Sequence, residues 1–317
     1  MLKSTGTNQN NNPSVVILLA TYNGQNYLED QLKSFEAQTH PNWTLLSSDD
    51  GSSDETLSIL KRYQSKWTNT HDMLLLGPQK GFAANFLSLV CKANINSDFY
   101  AYADQDDIWE PKKLETAIDF LKTIAPEIPA LYCSRTKIVD RNNNQQGLSP
   151  LFNKTPDFAN ALVQNIGSGN TMVFNKAARD LLKIAGKETV VISHDWWTYM
   201  LVSGCGGKVF YDPVPKVRYR QHNQNLVGCN TTFKAMLERI SMVTLGRYKQ
   251  WNSTNIAALY EHYIMLIPPN KKTLDNFTKS RKGNFISRLW YLRKSGVYRQ
   301  SFIGNLGLIV AVIFNRI

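Results

Sequence analysis

Short apolar runs alternate with stretches of helical periodicity over the first hundred residues of the chain. SVVILLA (14–20) lies between Pro13 and the turn residues Asn23 and Gly24. A β-branched run of that length reads as a strand buried on both faces. Residues 25–38 then carry Tyr27, Leu28, Leu32 and Phe35 at helical spacing. WTLLSS (43–48) predicts a second strand, and Ser53 to Trp67 a helix with Leu57, Leu60 and Tyr63 on one face. MLLLG (73–77) predicts a third strand, FAANFLSLVCKA (82–93) another helix, and DFYAYA (98–103) a fourth strand. Strand and helix in this rhythm argue βαβ units, an α/β fold whose mostly parallel central sheet is flanked by helices. After residue 230 the pattern turns helical, with segments over 233–245 and 247–267. A Lys/Arg-rich stretch with Trp290, Tyr291 and Tyr298 follows. The chain closes on FIGNLGLIVAVIF (302–314), shorter than the roughly 20 residues that span a bilayer.

Composition adds boundaries to this picture. The 317 residues are 43% hydrophobic, enough for one large domain or two ordinary ones. Charge is unevenly placed. Residues 1–230 hold equal numbers of Lys+Arg and Asp+Glu, so the whole net charge of +11 falls in residues 231–317. The loop-like QHNQNLVGCNTT precedes that change, which sets the expected organisation. Residues 1–13 form a disordered lead-in without an apolar targeting core, residues 14–230 a catalytic domain, and residues 231–317 a basic helical region with an apolar end. Cys91, Cys133, Cys205 and Cys229 lie far apart with no CxxC, which argues against a zinc site or a disulfide framework and fits a reducing cytoplasm.

In open α/β sheets ligands bind at the carboxyl ends of the strands. Three loops follow apolar strands here: TYNG after the first, DDGSSD after the second and DQDD after the fourth. Asp49, Asp50, Asp104, Asp106 and Asp107 are therefore expected around one crevice. Crowded carboxylates repel and raise one another's pKa, and a bridging cation turns that repulsion into binding. The bland alternative is that these acids only complement helix N-termini. Oxygen ligands without His or Cys favour Mg²⁺ or Mn²⁺, ions commonly shared with substrate phosphates, so a nucleoside diphosphate is the expected guest. The chain has no GxxxxGK[ST] and no GxGxxG after the first strand, which excludes a P-loop enzyme and disfavours a dinucleotide fold.

ATYNG (20–24), SDDGSSDET (48–56), KGFAANF (80–86), ADQDDIW (103–109), SGNTMVFN (168–175), HDWW (194–197) and YRQHNQN (219–225) occur in that order. With these motifs the chain resembles the family 2 glycosyltransferases of the GT-A fold over about residues 14–228. The DQDDIW, HDWW and YRQH forms look most like the branch of bacterial rhamnosyltransferases for surface polysaccharides. The resemblance implies roles position by position. Thr21 and Tyr22 match the loop lining the nucleoside. Asp49 matches the acceptor for a pyrimidine N3–H, with Asp50 beside it near the ribose. Asp104 and Asp106 match the DxD motif, Asp106 on the metal and Asp104 on the ribose or a metal-bound water. Asp195 matches the general base of an inverting transfer, where the family often has Glu-Asp and this chain has His194-Asp195. His222 matches a position near the metal or the diphosphate, and the fork of Arg220, two residues earlier, suits diphosphate oxygens. By residue type, Trp196 is a candidate to stack on an acceptor sugar, and Gly169 either lets backbone approach the acceptor or makes a bulge.

Each role has a structural competitor. Asp50 or Ser52 caps the helix after Ser53, Asp107 caps the next helix, Asp195 caps the helix that it opens, and Trp196 and Trp197 are core. The implied function is metal-dependent transfer of a sugar, from dTDP-rhamnose or a UDP-hexose, onto a glycan or lipid-linked acceptor in bacterial surface-polysaccharide synthesis. The alternative is a non-catalytic module that binds nucleotide sugars or glycans. Basic residues interleaved with aromatics suit an anionic membrane surface or a nucleic acid. A lipid-linked acceptor favours the membrane, with the protein cytoplasmic, peripheral at the inner face and without a nucleic-acid partner. The competing reading packs the last helix on the catalytic domain.

Overall fold

The computed structural model describes residues 12–67, 73–92, 94–221 and 246–317. β1 (Val15–Thr21) lies at the centre of a parallel group, between β2 (Trp43–Asp49) and β4 (Phe99–Ala103), with β3 (Met73–Leu76) outside β2. Helices α1 (Leu28–Glu36), α2 (Thr56–Lys66) and α3 (Phe82–Val90) make the crossovers. Thr21 pairs with Asp49, and Leu19 with Ala103, so the three strands end at one edge and their loops open together.

The second half of the sheet is mixed, where the sequence pattern predicts mostly parallel pairing. β8 (Val173–Asn175) runs antiparallel to β4, and β6 (Ala130–Val139) antiparallel to β8. β9 (Lys208–Arg220) is parallel to β6, the short β5 (Ile108–Trp109) is antiparallel to β9, and β7 (Gln145–Leu148) forms a hairpin with β6. The chain between the parallel neighbours β6 and β9 carries helices, as parallel pairing needs, while β8 and β5 enter as short antiparallel strands. β5 follows the DQDD loop directly and returns along β9, which brings Arg220 behind that loop.

Alternate residues of β1 feed two cores. Val15, Ile17 and Leu19 pack with α1, α2 and α4 (Lys113–Leu121). Val16 and Leu18 share the other core with Phe86 and Tyr102 and with α7 (His194–Gly204). α5 (Phe158–Ala161) and α6 (Lys176–Ala185) complete this face.

Helices α8 (Arg247–Glu261), α9 (Pro268–Lys279), α10 (Phe285–Ser295) and α11 (Phe302–Ile313) form the C-terminal region. Leu259, Leu274, Phe277, Leu308 and Val312 belong to the same apolar core as Val16 and Leu18. The Asn270 amide donates to the Ser203 and Gly204 carbonyls at 3.0 Å, and Arg299 Nη1 donates to Val163 O at 2.7 Å. This region is therefore fastened to the α7 side of the sheet. The helix expected over 233–245, the boundary near 230 and Cys229 lie outside the described residues.

Candidate active site

The three loops meet as the strand order requires, and a residue absent from the sequence reading ties two of them. Gln105, the middle residue of DQD, accepts from Tyr22 N at 2.8 Å and donates to Tyr22 O at 2.9 Å. Gly24 permits this approach, because a Cβ there would lie 2.3 Å from Gln105 Oε1. The Tyr22 ring stays 58% exposed at the rim of the crevice.

Asp49 is buried and spent on its own loop and on the end of β1. Oδ1 accepts from Thr21 Oγ1 at 2.9 Å and Ser52 Oγ at 2.6 Å, and Oδ2 from Ser52 N at 2.8 Å and Gly51 N at 3.2 Å. The expectation that Asp49 reads a pyrimidine therefore meets a saturated carboxylate, and Thr21 serves that carboxylate too. Asp50 differs. It is half-buried, and each oxygen takes one donor: Gln79 N at 2.6 Å and Gly81 N at 3.0 Å. Asp54 serves the start of α2 by accepting from Thr56 N at 3.0 Å, so helix capping explains neither Asp50 nor Ser52.

The acidic cluster divides in the same way. Asp107 is fully buried and accepts from Arg220 N at 3.1 Å and from the Asn170 amide. It lies before β5 and does not cap α4. Burial, with repulsion from Asp106 and Asp104, holds its carboxyl well above the usual range. Lys113 is also fully buried, with Nζ 3.2 Å from the centroid of the Trp109 ring and no hydrogen-bond partner among the described residues. Burial pushes this lysine far down, while Asp107 and Asp104 oppose the shift. Asp104 is half-buried, and burial with repulsion from Asp106 and Asp195 raises it to about 8. Asp195 is thus within electrostatic reach of the DxD residues, although the two motifs lie far apart in sequence.

A hard cation suits this balance. Asp106 and Asp195 act on Asp104 as like charges, the buried Lys113 opposes them, and Asp107 is committed to the scaffold. No group of three or more His, Cys, Asp or Glu among the described residues is arranged to hold a metal by itself. The fitting set is thus two carboxylates that leave positions for substrate phosphate. His222 lies outside the described residues.

Asp195 stands in the first turn of α7. Oδ1 accepts from Trp196 N at 2.6 Å and Oδ2 from Gly169 N at 3.1 Å, the latter in the 3₁₀ turn Gly169–Thr171. The capping reading thus accounts for one oxygen, and the other links α7 to the turn where an acceptor-side glycine was expected.

Two sequence expectations are corrected by burial. Trp196 is buried and its Nε1 donates to Ala161 O at 2.7 Å, so it is core, as is Trp197. Arg220 is buried behind the cluster. It donates to Asp30 Oδ2 at 2.9 Å, Asp106 O at 3.0 Å and Arg141 O at 2.7 Å, and lies over the Tyr27 ring. Its fork braces the DQDD loop, so diphosphate contact is not the role this geometry gives it. Sequence leaves Asn170 unassigned because its partner, Asp107, is 63 residues away, and Lys113 because a lysine so near an acidic loop reads as solvent-exposed until its burial is seen.

Comparisons with known proteins agree with this architecture. The family model for glycosyl transferase family 2 matches residues 16–182. The chain is 30% identical over 245 residues to the dTDP-rhamnosyl transferase RfbG of Shigella flexneri, covering 73% of this chain and 81% of that protein. S. aureus TarS in complex with UDP-GlcNAc superimposes with a TM-score of 0.52 at 15% identity, covering 89% of each chain. The mannosyltransferase PcManGT of Pyrobaculum calidifontis, in complex with GDP-Man and Mn²⁺, reaches 0.50 at 17%, covering 89% of this chain and 86% of that one. A strand-end crevice of carboxylates, a family match over more than half of the chain and a relative aligned over most of its length converge: this chain belongs to glycosyl transferase family 2 and is a glycosyltransferase on a GT-A-like fold.

Proposed function

We propose that the protein is a metal-dependent inverting transferase that moves rhamnose from dTDP-rhamnose, or a hexose from a UDP-sugar, onto a hydroxyl of a glycan or lipid-linked acceptor in surface-polysaccharide synthesis. The observation that carries this reading is the meeting of Asp195 with Asp104 and Asp106 in one crevice. Rhamnose is supported by the likeness to RfbG. Asp195 takes the acceptor proton as the hydroxyl oxygen bonds to the anomeric carbon. The bond from that carbon to the diphosphate oxygen breaks, and the nucleoside diphosphate leaves with the electron pair. A positioned base contributes ~10²–10⁴-fold. The N–H groups of Gly169 and Trp196 fix the base and leave lone pairs for the proton. Asp50, with one donor on each oxygen, replaces Asp49 as the acceptor for a pyrimidine N3–H. Asp106 and Asp104 would hold Mg²⁺ or Mn²⁺, which neutralises diphosphate charge when bound. Competition among dTDP, UDP and GDP by thermal shift with Mn²⁺, followed by single-turnover transfer with Asp195→Asn, tests the reading. A preference for GDP overturns the pyrimidine assignment. An Asp195→Asn enzyme as fast as wild type moves the base elsewhere.

The acceptor end of the proposal is a peripheral position on an anionic membrane. No helix among the described residues is long and apolar enough to cross one. Instead, Phe302, Ile303, Leu306, Ile309, Val310 and Phe314 project into solvent, while Leu308, Ala311 and Val312 are buried. At 100° per residue these sets occupy opposite sides of α11. Phe285, Ile286 and Trp290 of the neighbouring α10 are also exposed. Residues 246–317 hold twelve Lys+Arg against two Asp+Glu. An apolar face within basic surroundings is the composition of an interfacial anchor.

A further inference from the structure

We propose that His194 is a positioning residue for the transfer, its imidazole setting the place of Gly169 and, through the Gly169 N–H, the orientation of the Asp195 carboxylate. The inference rests on Asp195 being the base. His194 is only 3% exposed, although its sequence neighbour faces the crevice. The ring lies flat on Phe86, with centroids 3.8 Å apart and planes at 21°, and meets Tyr102 and Phe82 edge-on at 4.7 and 6.0 Å. Neither ring nitrogen has a hydrogen-bond partner among the described residues. Burial pushes the group down to about 4, so the imidazole is neutral near pH 7. Burying an unpaired polar group costs stability. What the ring supplies at this position is therefore its shape, a flat five-membered plate in an aromatic slot.

The remaining wall of the slot is Gly169. A Cβ at that residue would lie 2.3 Å from His194 Nε2 and 3.0 Å from its Cε1. The imidazole thus occupies the space that any side chain at position 169 would need. On its other side the same glycine donates to Asp195 Oδ2 at 3.1 Å. Contacts run without a gap from Phe86 through His194 and Gly169 to the base. Phe86 belongs to α3, whose N-terminal Gly81 donates to Asp50 at 3.0 Å. One helix therefore supports the nucleotide-side carboxylate directly and the base through the His194 plate. Because the base must meet an acceptor hydroxyl at hydrogen-bond distance, a small displacement of Gly169 acts on the chemical step and leaves donor binding alone.

The test is a double-mutant cycle on Gly169→Ala and His194→Ala, measured with whichever of dTDP-rhamnose and the UDP-hexoses the wild type turns over. Each single variant is expected to lower kcat at least tenfold with donor KM within twofold. The double variant should lose much less than the product of the single losses, because the added methyl enters the space that the imidazole vacates. His194→Asn, which keeps hydrogen-bonding capacity but not the plate, should not rescue. Singles with wild-type kcat, losses that multiply, or rescue by Asn each overturn the proposal. Equilibrium unfolding of the same four proteins reads the contact without substrate, and no coupling there also overturns it. A wild type that turns over none of these donors counts against the donor assignment instead, and the unfolding cycle still decides whether the contact exists.

Discussion

Replacing Phe302, Ile303 and Phe314 together by Ser should detach the protein from anionic vesicles while leaving its fold and nucleotide binding intact. These side chains leave 76, 73 and 70% of their surface in water, so the substitutions remove no core contact of consequence. Truncating the chain from residue 301 would be a poorer experiment, because Val312 and Ile317 are fully buried. Complete burial of a side chain of this size contributes roughly 2 kcal/mol. Three-quarters of that is about 1.5 kcal/mol for each residue and about 4.5 kcal/mol for all three. At about 1.4 kcal/mol per tenfold, the partition coefficient should fall by about three orders of magnitude. The basic residues add about 1 kcal/mol each where they reach the anionic leaflet. That part is screened as the Debye length contracts from about 10 Å at 0.1 M salt to about 3 Å at 1 M. Co-sedimentation with phosphatidylglycerol-containing and neutral vesicles, at low and high salt, separates the two contributions. Wild type should bind anionic vesicles at low salt and keep a salt-resistant fraction, which the triple variant should lack. A wild type that stays in the supernatant at low salt, or a triple variant that sediments like it, refutes the reasoning. Reversible dimers that the triple variant abolishes would make this face a contact between two copies instead.

Asp106→Asn should abolish Mn²⁺-dependent binding of the nucleoside diphosphate and leave far-UV dichroism unchanged; calorimetric titration with an unaltered affinity removes Asp106 from the metal site. Asp50→Asn should weaken nucleotide binding at least tenfold with little change in melting temperature, while Asp49→Asn should lower the melting temperature, since Asp49 accepts three hydrogen bonds from its own loop and one from Thr21 of β1. The reverse pattern restores the pyrimidine role to Asp49. His194 ionises near 4 in the folded protein against about 6.5 when unfolded. Between those values the unfolded chain binds the extra proton, so His194 makes stability fall on acidification, by up to roughly 1.4 kcal/mol per pH unit. Denaturant titrations between pH 7 and 4 should show a shallower loss for His194→Ala than for wild type, and parallel curves would contradict the buried neutral imidazole.

Much of the catalytic scaffold was legible in the chain alone. A strand such as SVVILLA is apolar on both faces because helices cover both sides of a parallel sheet, and that pattern is local. Parallel order then forces the loops after β1, β2 and β4 to one edge, so the crevice and its carboxylates follow from strand positions without coordinates. The motifs added the family, which spacing by itself did not.

Tertiary structure decided which of the candidate groups are free to act. Asp49 and Asp50 are adjacent and chemically identical, yet one is filled by loop N–H and hydroxyl donors and the other is not. Asp107 is the same residue type as Asp106, but Asn170 and Arg220 arrive from distant elements to hold it inside. Arg220 and Trp196 looked like ligand contacts because cations and aromatics often are, and only packing shows that their hydrogen bonds are already made. The apolar segment at the end of the chain divides into a packed side and a bare side once its neighbours are in place. Sequence fixes which groups exist and near which edge of the sheet they stand. Saturation of a hydrogen-bonding group depends on how its loop is folded and on partners from other elements, such as Thr21 for Asp49 and Arg220 for Asp107, and so belongs to the fold.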